Sequence, residues 1–163
     1  MTINSETFHQ QKLAWLVNQV NVDFPTPESV KGRDIYLKQP AKDAVEHLFS
    51  EITLPETVSV LLVTEHRLTI RWAMTVASQW ADEYDNMLEF LTQIDLCDEY
   101  QLFVALDGMK PIAACLSHVA EDTMYVSDIA LTSDVIDESG FLSAVMAQQS
   151  NNFKNTFKTC IKN

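Results

Sequence analysis

Glycine is scarce in this chain. It holds three glycines in 163 residues, where an average usage of roughly 7% would give about 11. Sheets of short antiparallel strands spend glycine on their turns, so the scarcity argues against a sheet of hairpins. Basic residues are scarce too: 11 Lys and Arg stand against 23 Asp and Glu, for a net charge of −12. That excludes direct nucleic-acid binding, which needs a basic surface to neutralise phosphates. Cys97, Cys115 and Cys160 are an odd number without CxxC spacing. They exclude a disulfide framework and read as reduced thiols. Long apolar runs are missing. VLLV at 60–63 and LFVAL at 102–106 are far too short to span a bilayer. The opening MTINSETFHQQ has neither a basic cluster nor an apolar stretch, so it does not read as a secretory signal. The expectation is a soluble, cytoplasmic protein with no membrane partner.

What is present is acid, unevenly spread. Residues 82–138 hold fourteen Asp and Glu and one Lys, so 1 − 14 = −13, while residues 139–163 hold three Lys and no acid. Such a surface keeps a protein soluble, and it also suits a basic protein partner. Glu83, Asp85 and Glu89 head this segment and are the candidate partner surface. The length fits one domain over 1–163.

Apolar spacing reads mostly as helix. In 5–20, Leu13, Leu16, Val17 and Val20 form a stripe behind Ser5 and Glu6. Residues 21–39 read as an irregular loop or linker, broken by Pro25, Pro27 and Gly32, with a short strand open at 35–37. Residues 40–52 give the clearest helix: Pro40 starts it, and Ala44, Val45, Leu48, Phe49 and Ile52 recur at helical spacing. VSVLLV at 58–63 is open between strand and helix. In 67–82, Leu68, Trp72, Val76 and Trp80 recur every four residues, and Met87, Leu88, Leu91 and Ile94 continue the pattern. Residues 137–161 read as a final helix, with SNN at 150–152 as an interruption.

The stretch QLFVALDGMKPIAACLSHVAEDTMYVSDIAL at 101–131 supports two readings. As strands it divides into Gln101–Leu106, Ile112–His118 and Met124–Leu131, with an Asp-Gly hairpin signal at 107–108. As helices, Asp98 caps the first, Gly108 ends it and Pro111 starts the next. The glycine count favours helices. The expected fold is therefore all-α, a single domain of about seven to nine helices, with a mixed α+β sheet as the alternative.

Each reading carries a resemblance. The strand reading resembles the middle of the GNAT acetyltransferases. That resemblance implies a coenzyme A pyrophosphate held on backbone N–H groups at a helix start, in a loop like R/Q-x-x-G-x-G/A. Here the matching stretch is LTSDVIDESGFL at 131–142, with Asp134, Asp137 and Glu138, no Arg, and Gly140 as its one glycine. The resemblance thus implies a GNAT-like fold with a degenerate acetyl-CoA site, and Asp128–Leu131 along the acyl-transfer edge. The helical reading resembles a poorly characterised helical family often encoded near type VI secretion genes. It rests on PETVSVLL and HRLTIRWAMTVA within 55–77, where Arg67, Ile70, Trp72 and Ala73 fit an apolar "LP-R-x-x-V-W-W-A" helix. Arg71 replaces the first Trp, the preceding Leu-Pro is missing, and DGMKPIAACLSHVA at 107–120 lacks the family's "SGGS". This resemblance implies an accessory or interaction role.

Few residues suggest chemistry. His9, His47, His66 and His118 show no HxxxH or HExxH spacing. Asp43 with His47, and Cys115 with His118, would each lie one turn apart on a helix, but a metal site needs at least three ligands. Ser117-His118 lacks a G-x-S-x-G context, and there is no phosphate loop or dinucleotide fingerprint. No catalytic residue, cofactor or metal is expected. The sequence thus reads as a non-enzymatic acidic interaction or accessory protein. The alternatives are the degenerate acetyltransferase fold, or an acidic chaperone or inhibitor of a basic partner. Oligomeric state is not readable.

Overall fold

The computed structural model describes residues 4–20, 25–153 and 159–163, with the backbone alone for 151–153. Its centre is a six-stranded mixed sheet, which overturns the all-α expectation. In chain order the elements are α1 (Ser5–Val17), α2 (Pro27–Leu37), β1 (Val45–His47), β2 (Val58–Leu62), α3 (His66–Ala77) and α4 (Tyr84–Leu91). There follow β3 (Gln101–Asp107), β4 (Lys110–Ala120), β5 (Thr123–Leu131), α5 (Glu138–Phe153) and β6 (Thr159–Lys162). The strand order is β1-β6-β5-β4-β3-β2. All neighbours are antiparallel except β5 and β6, which run parallel with α5 between them in the chain.

The ambiguous 101–131 stretch is three strands, and burial explains why it mimicked helix. Leu102, Val104 and Leu106 of β3 face a core built with α1 to α4, while Phe103 and Ala105 face a second core built on α5. Ala114 and Leu116 of β4 share the first core, and Ala113 and Cys115 the second. A strand buried on both faces loses its polar alternation and reads as a continuous apolar run. Nor does the sheet need many glycines. The β3–β4 turn uses Gly108 at φ 62°, but the β4–β5 turn puts Glu121 at φ 57°. A non-glycine residue at positive φ is uncommon, and because Glu121 takes that place the glycine count misses this turn.

Several helices stand elsewhere than expected. Within 21–39, residues 27–37 form α2: Thr26 accepts the Ser29 N–H at 3.2 Å, and Pro27 takes the first turn, where a missing N–H costs nothing. Gly32 does not break this helix. It lets α2 approach α4, since a Cβ there would lie 2.2 Å from the Asn86 carbonyl oxygen. Residues 35–37 are the last turn of α2. In 40–52 the only regular element is β1, paired with β6 through Val45↔Lys162, Glu46↔Ile161 and His47↔Cys160. The apolar residues of that stretch stay largely exposed: Val45 is 52%, Leu48 78% and Phe49 51% exposed. A helical period alone does not make a helix without a surface to bury it. Residues 58–62 are strand β2. The segment behind the type VI resemblance is therefore split between β2 and α3, and the secretion-linked helical reading is withdrawn. α5 runs unbroken through SNN. Ile161 belongs to β6, and Phe157 lies outside the described residues.

Trp72 is 1% exposed and donates its Nε1–H to the Cys115 carbonyl at 2.8 Å. Trp80 lies past the end of α3, only partly buried, with its ring 6.2 Å from that of Tyr36. Among the described residues, no helix is long and apolar enough to cross a membrane.

Candidate functional site

The sheet forks at β5. Pairing with β6 runs from Thr123↔Thr159 to Val126↔Lys162, and the Asn163 N–H then reaches the Val126 carbonyl at 3.1 Å. Past Val126 the β5 chain bends. Its register with β4 slips between Ala114 and Leu116, and Asp128 adopts φ 56°. This is a bulge, one extra residue that turns the strand and re-aims a side chain. Gln79 Nε2 donates to the freed Ile129 carbonyl at 2.9 Å.

The side chain so aimed is the Asp128 carboxylate. Lys12 Nζ donates to its Oδ2 at 3.0 Å, Ser127 Oγ to the same oxygen at 2.8 Å, and Tyr36 Oη to Oδ1 at 2.8 Å. Lys12 also donates to Ser127 Oγ at 3.0 Å. The ion-pair side chains are only 5% and 7% exposed. Burial pushes the Asp128 carboxyl up. The Lys12 ammonium and the hydrogen bonds from Ser127, Tyr36 and Lys12 outweigh it and hold the group below its ordinary 3.8. Burial, and then the Asp128 charge, push the Tyr36 phenol well above its ordinary 10.0. A cavity of about 30 Å³, room for about one water, lies against the cluster, with His9, Gln39, Lys42, Gln79 and Trp80 also on its wall. Burial and Lys12 hold His9 below 6.5, against the opposing pull of Asp128.

Sequence reasoning named Asp128 only as part of an edge, and missed Lys12, Tyr36 and Ser127. One signal was available. Phe8, Lys12 and Leu16 are spaced by four and all buried on α1, so a lysine stands within an apolar stripe and requires a buried acid. The stripe expected from Leu13, Leu16, Val17 and Val20 is rotated: Leu13 is partly buried and Val17 is 37% exposed.

The second part of the site is the start of α5. Asp137 stands just before the helix, where its Oδ1 accepts the Gly140 N–H at 2.7 Å and its backbone oxygen accepts the Phe141 N–H at 3.0 Å. Glu138 pairs with Lys162 of β6. Asp134 is exposed in the approach to the helix. A helix start is an anion site because its first N–H groups lack partners. Here the chain's own carboxylate fills that place.

The other expected candidates separate. Asp43 and His47 lie in and before an edge strand, not on a helix. His47 Nε2 is 3.2 Å from Ser143 Oγ, which accepts the Ser50 N–H at 3.3 Å. Burial and then Lys162 hold His47 below 6.5, with Glu138 opposing. Cys115 faces the α5 core, whereas the His118 ring stacks on Phe8 and lies tilted against Tyr100 over the opposite face. Burial pushes Cys115 well above the ordinary thiol value and Cys160 up to about 12, which makes neither a nucleophile. Among the described residues, no three His, Cys, Asp or Glu side chains gather where a metal would sit. Glu83, Asp85 and Glu89 fall on and before α4. Glu83 and Asp85 are exposed, and Glu89 is half-buried and accepts from Thr26 Oγ1 at 3.4 Å.

No family model and no curated protein matches this sequence. Solved structures similar to it include acetyltransferases. One is an aminoglycoside acetyltransferase from an uncultured soil metagenomic sample, solved with sisomicin: 13% identity, 66% of this chain and 77% of that chain, TM-score 0.48. Another is the ribosomal-protein-alanine N-acetyltransferase of Brucella melitensis biovar Abortus 2308: 12% identity, 65% and 79%, TM-score 0.47. A third is a GCN5-related N-acetyltransferase from Kribbella flavida: 14% identity, 73% and 45%, TM-score 0.45. The likeness is partial.

Proposed function

We propose that this chain has an acetyltransferase-like fold with a degenerate acetyl-CoA site, and that it works by binding rather than by acyl transfer. The observation that carries this reading is the Asp137 carboxylate on the Gly140 N–H. In the GNAT-like arrangement, a helix start after the forked strand supplies bare N–H groups to the coenzyme pyrophosphate. Here a pyrophosphate would have to displace the Asp137 carboxylate, and the neighbouring Lys162 is already paired with Glu138. The edge expected to serve acyl transfer is engaged as well: Asp128 there already accepts from Lys12, Ser127 and Tyr36.

The test is calorimetric titration of the full chain with acetyl-CoA to millimolar concentration, alongside Asp137→Gly/Glu138→Gln. No saturable heat is expected for the native chain. A micromolar dissociation constant for the native chain would overturn the proposal.

A further inference from the structure

We infer that Asp128, Ser127 and Tyr36 form a pocket for a primary ammonium group, and that the chain keeps it shut by placing its own Lys12 there. The three cage residues belong to the body of the fold, Asp128 and Ser127 to β5 and Tyr36 to α2. The occupant arrives on α1. The Lys12 ammonium is held as a ligand is held. It donates to Asp128 Oδ2 and to Ser127 Oγ, each at 3.0 Å. It also lies 5.5 Å from the centre of the Tyr36 ring and 5.8 Å from that of Phe8, within reach of a cation–π attraction.

Stability alone does not account for this cage. A buried ion pair is often no better than apolar groups of the same volume. Asp128 also sits at φ 56°, a left-handed conformation uncommon outside glycine and found at ligand clamps. The cage does not depend on its occupant. Tyr36 Oη donates to one carboxylate oxygen and Ser127 Oγ to the other, so α2 and β5 alone hold the negative charge in place. One carboxylate oxygen and one hydroxyl converge on a single nitrogen. That suits a compact ammonium and not the planar fork of a guanidinium. Lys12, Ser127 and Asp128 border the cavity of about 30 Å³, whose wall includes the exposed Pro40, Lys42 and Gln79. An outside amine would enter on that side and compete with α1. The pocket shares Asp128 with the edge discussed above but nothing with the start of α5, so amine binding and the exclusion of acetyl-CoA stand or fall separately.

The test is thermal unfolding of the full chain carrying Lys12→Ala, titrated with propylammonium at matched ionic strength. The three carbons and the nitrogen of this probe replace the atoms removed. Propanol, of the same length without the charge, is one control, and Lys12→Ala/Asp128→Asn is the other. Propylammonium should stabilise Lys12→Ala saturably, as a ligand of the folded state does. Propanol with Lys12→Ala, and propylammonium with the double variant or the native chain, should bind more weakly by about tenfold or more, the worth of a hydrogen bond to a charged group. If Lys12→Ala does not fold by itself, propylammonium should restore its refolding from urea and propanol should not. The inference is overturned if propylammonium helps Lys12→Ala no more than propanol does. It is equally overturned if the native chain or the double variant binds propylammonium as tightly as Lys12→Ala.

Discussion

Lys12 of α1 and Asp128 of β5 meet at 3.0 Å in the protein interior, 116 residues apart in sequence. The pair fastens the first helix to the kinked strand. Removing one partner strands a buried charge, which costs about 3–5 kcal/mol, whereas replacing both with apolar groups is often neutral. Lys12→Met and Asp128→Asn, which suits the φ of 56° at this position, should each destabilise strongly, and the double variant should recover part of the loss. Urea denaturation of the three variants measures this. Additive losses would show that the two residues act separately.

Acid should loosen the same contact. The folded carboxyl of Asp128 is held below its ordinary 3.8, so the unfolded chain binds the proton first. Its contribution is therefore present above 3.8 and is lost as pH falls through the lower folded value. The stability gap between the native chain and Asp128→Asn should be widest near neutrality and shrink below pH 3.8. A gap that stays constant into acid would mean that Asp128 binds its proton equally well in the folded and unfolded chain.

Local signals in the sequence located α1, α3, α4 and most of α5, because each repeats apolar residues at helical spacing that the two cores bury. They misplaced the sheet because β3 and β4 are buried on both sides and carry no alternation. They inverted the 40–52 segment because helical spacing there serves no packing. The site was less legible still. Asp137, Glu138 and Asp134 were visible as carboxylates at a helix start. The Lys12–Asp128–Tyr36 cluster joins three elements distant in sequence, and only the fold brings such groups together.

The two tryptophans of the expected 67–82 helix should behave differently. Trp72 is enclosed and hydrogen-bonded to Cys115, so Trp72→Ala should cost about 3–5 kcal/mol. Trp80 is only partly buried at the rim of the cavity beside Asp128 and should cost less. Iodide should quench Trp80 in the folded protein and spare Trp72, which single-tryptophan variants would resolve. Equal quenching of both would contradict this packing.

Gly32 gives the sharpest steric test. By intrinsic propensity alone, alanine in a helix interior is better than glycine by about 1 kcal/mol. At Gly32 a Cβ would stand 2.2 Å from the Asn86 carbonyl oxygen and 2.7 Å from Phe90 Cβ. The first of these atoms is backbone of α4, so relief requires moving one helix off the other. Overpacking of this kind costs about 1–3 kcal/mol, enough to reverse the propensity gain. Gly140→Ala is the contrast, because its Cβ would meet the Asp137 carboxylate at 2.9 Å, a side chain able to turn away. Thermal unfolding should therefore show Gly32→Ala clearly destabilised and Gly140→Ala less so. If Gly32→Ala proves as stable as the native chain, α2 and α4 do not approach as closely as this.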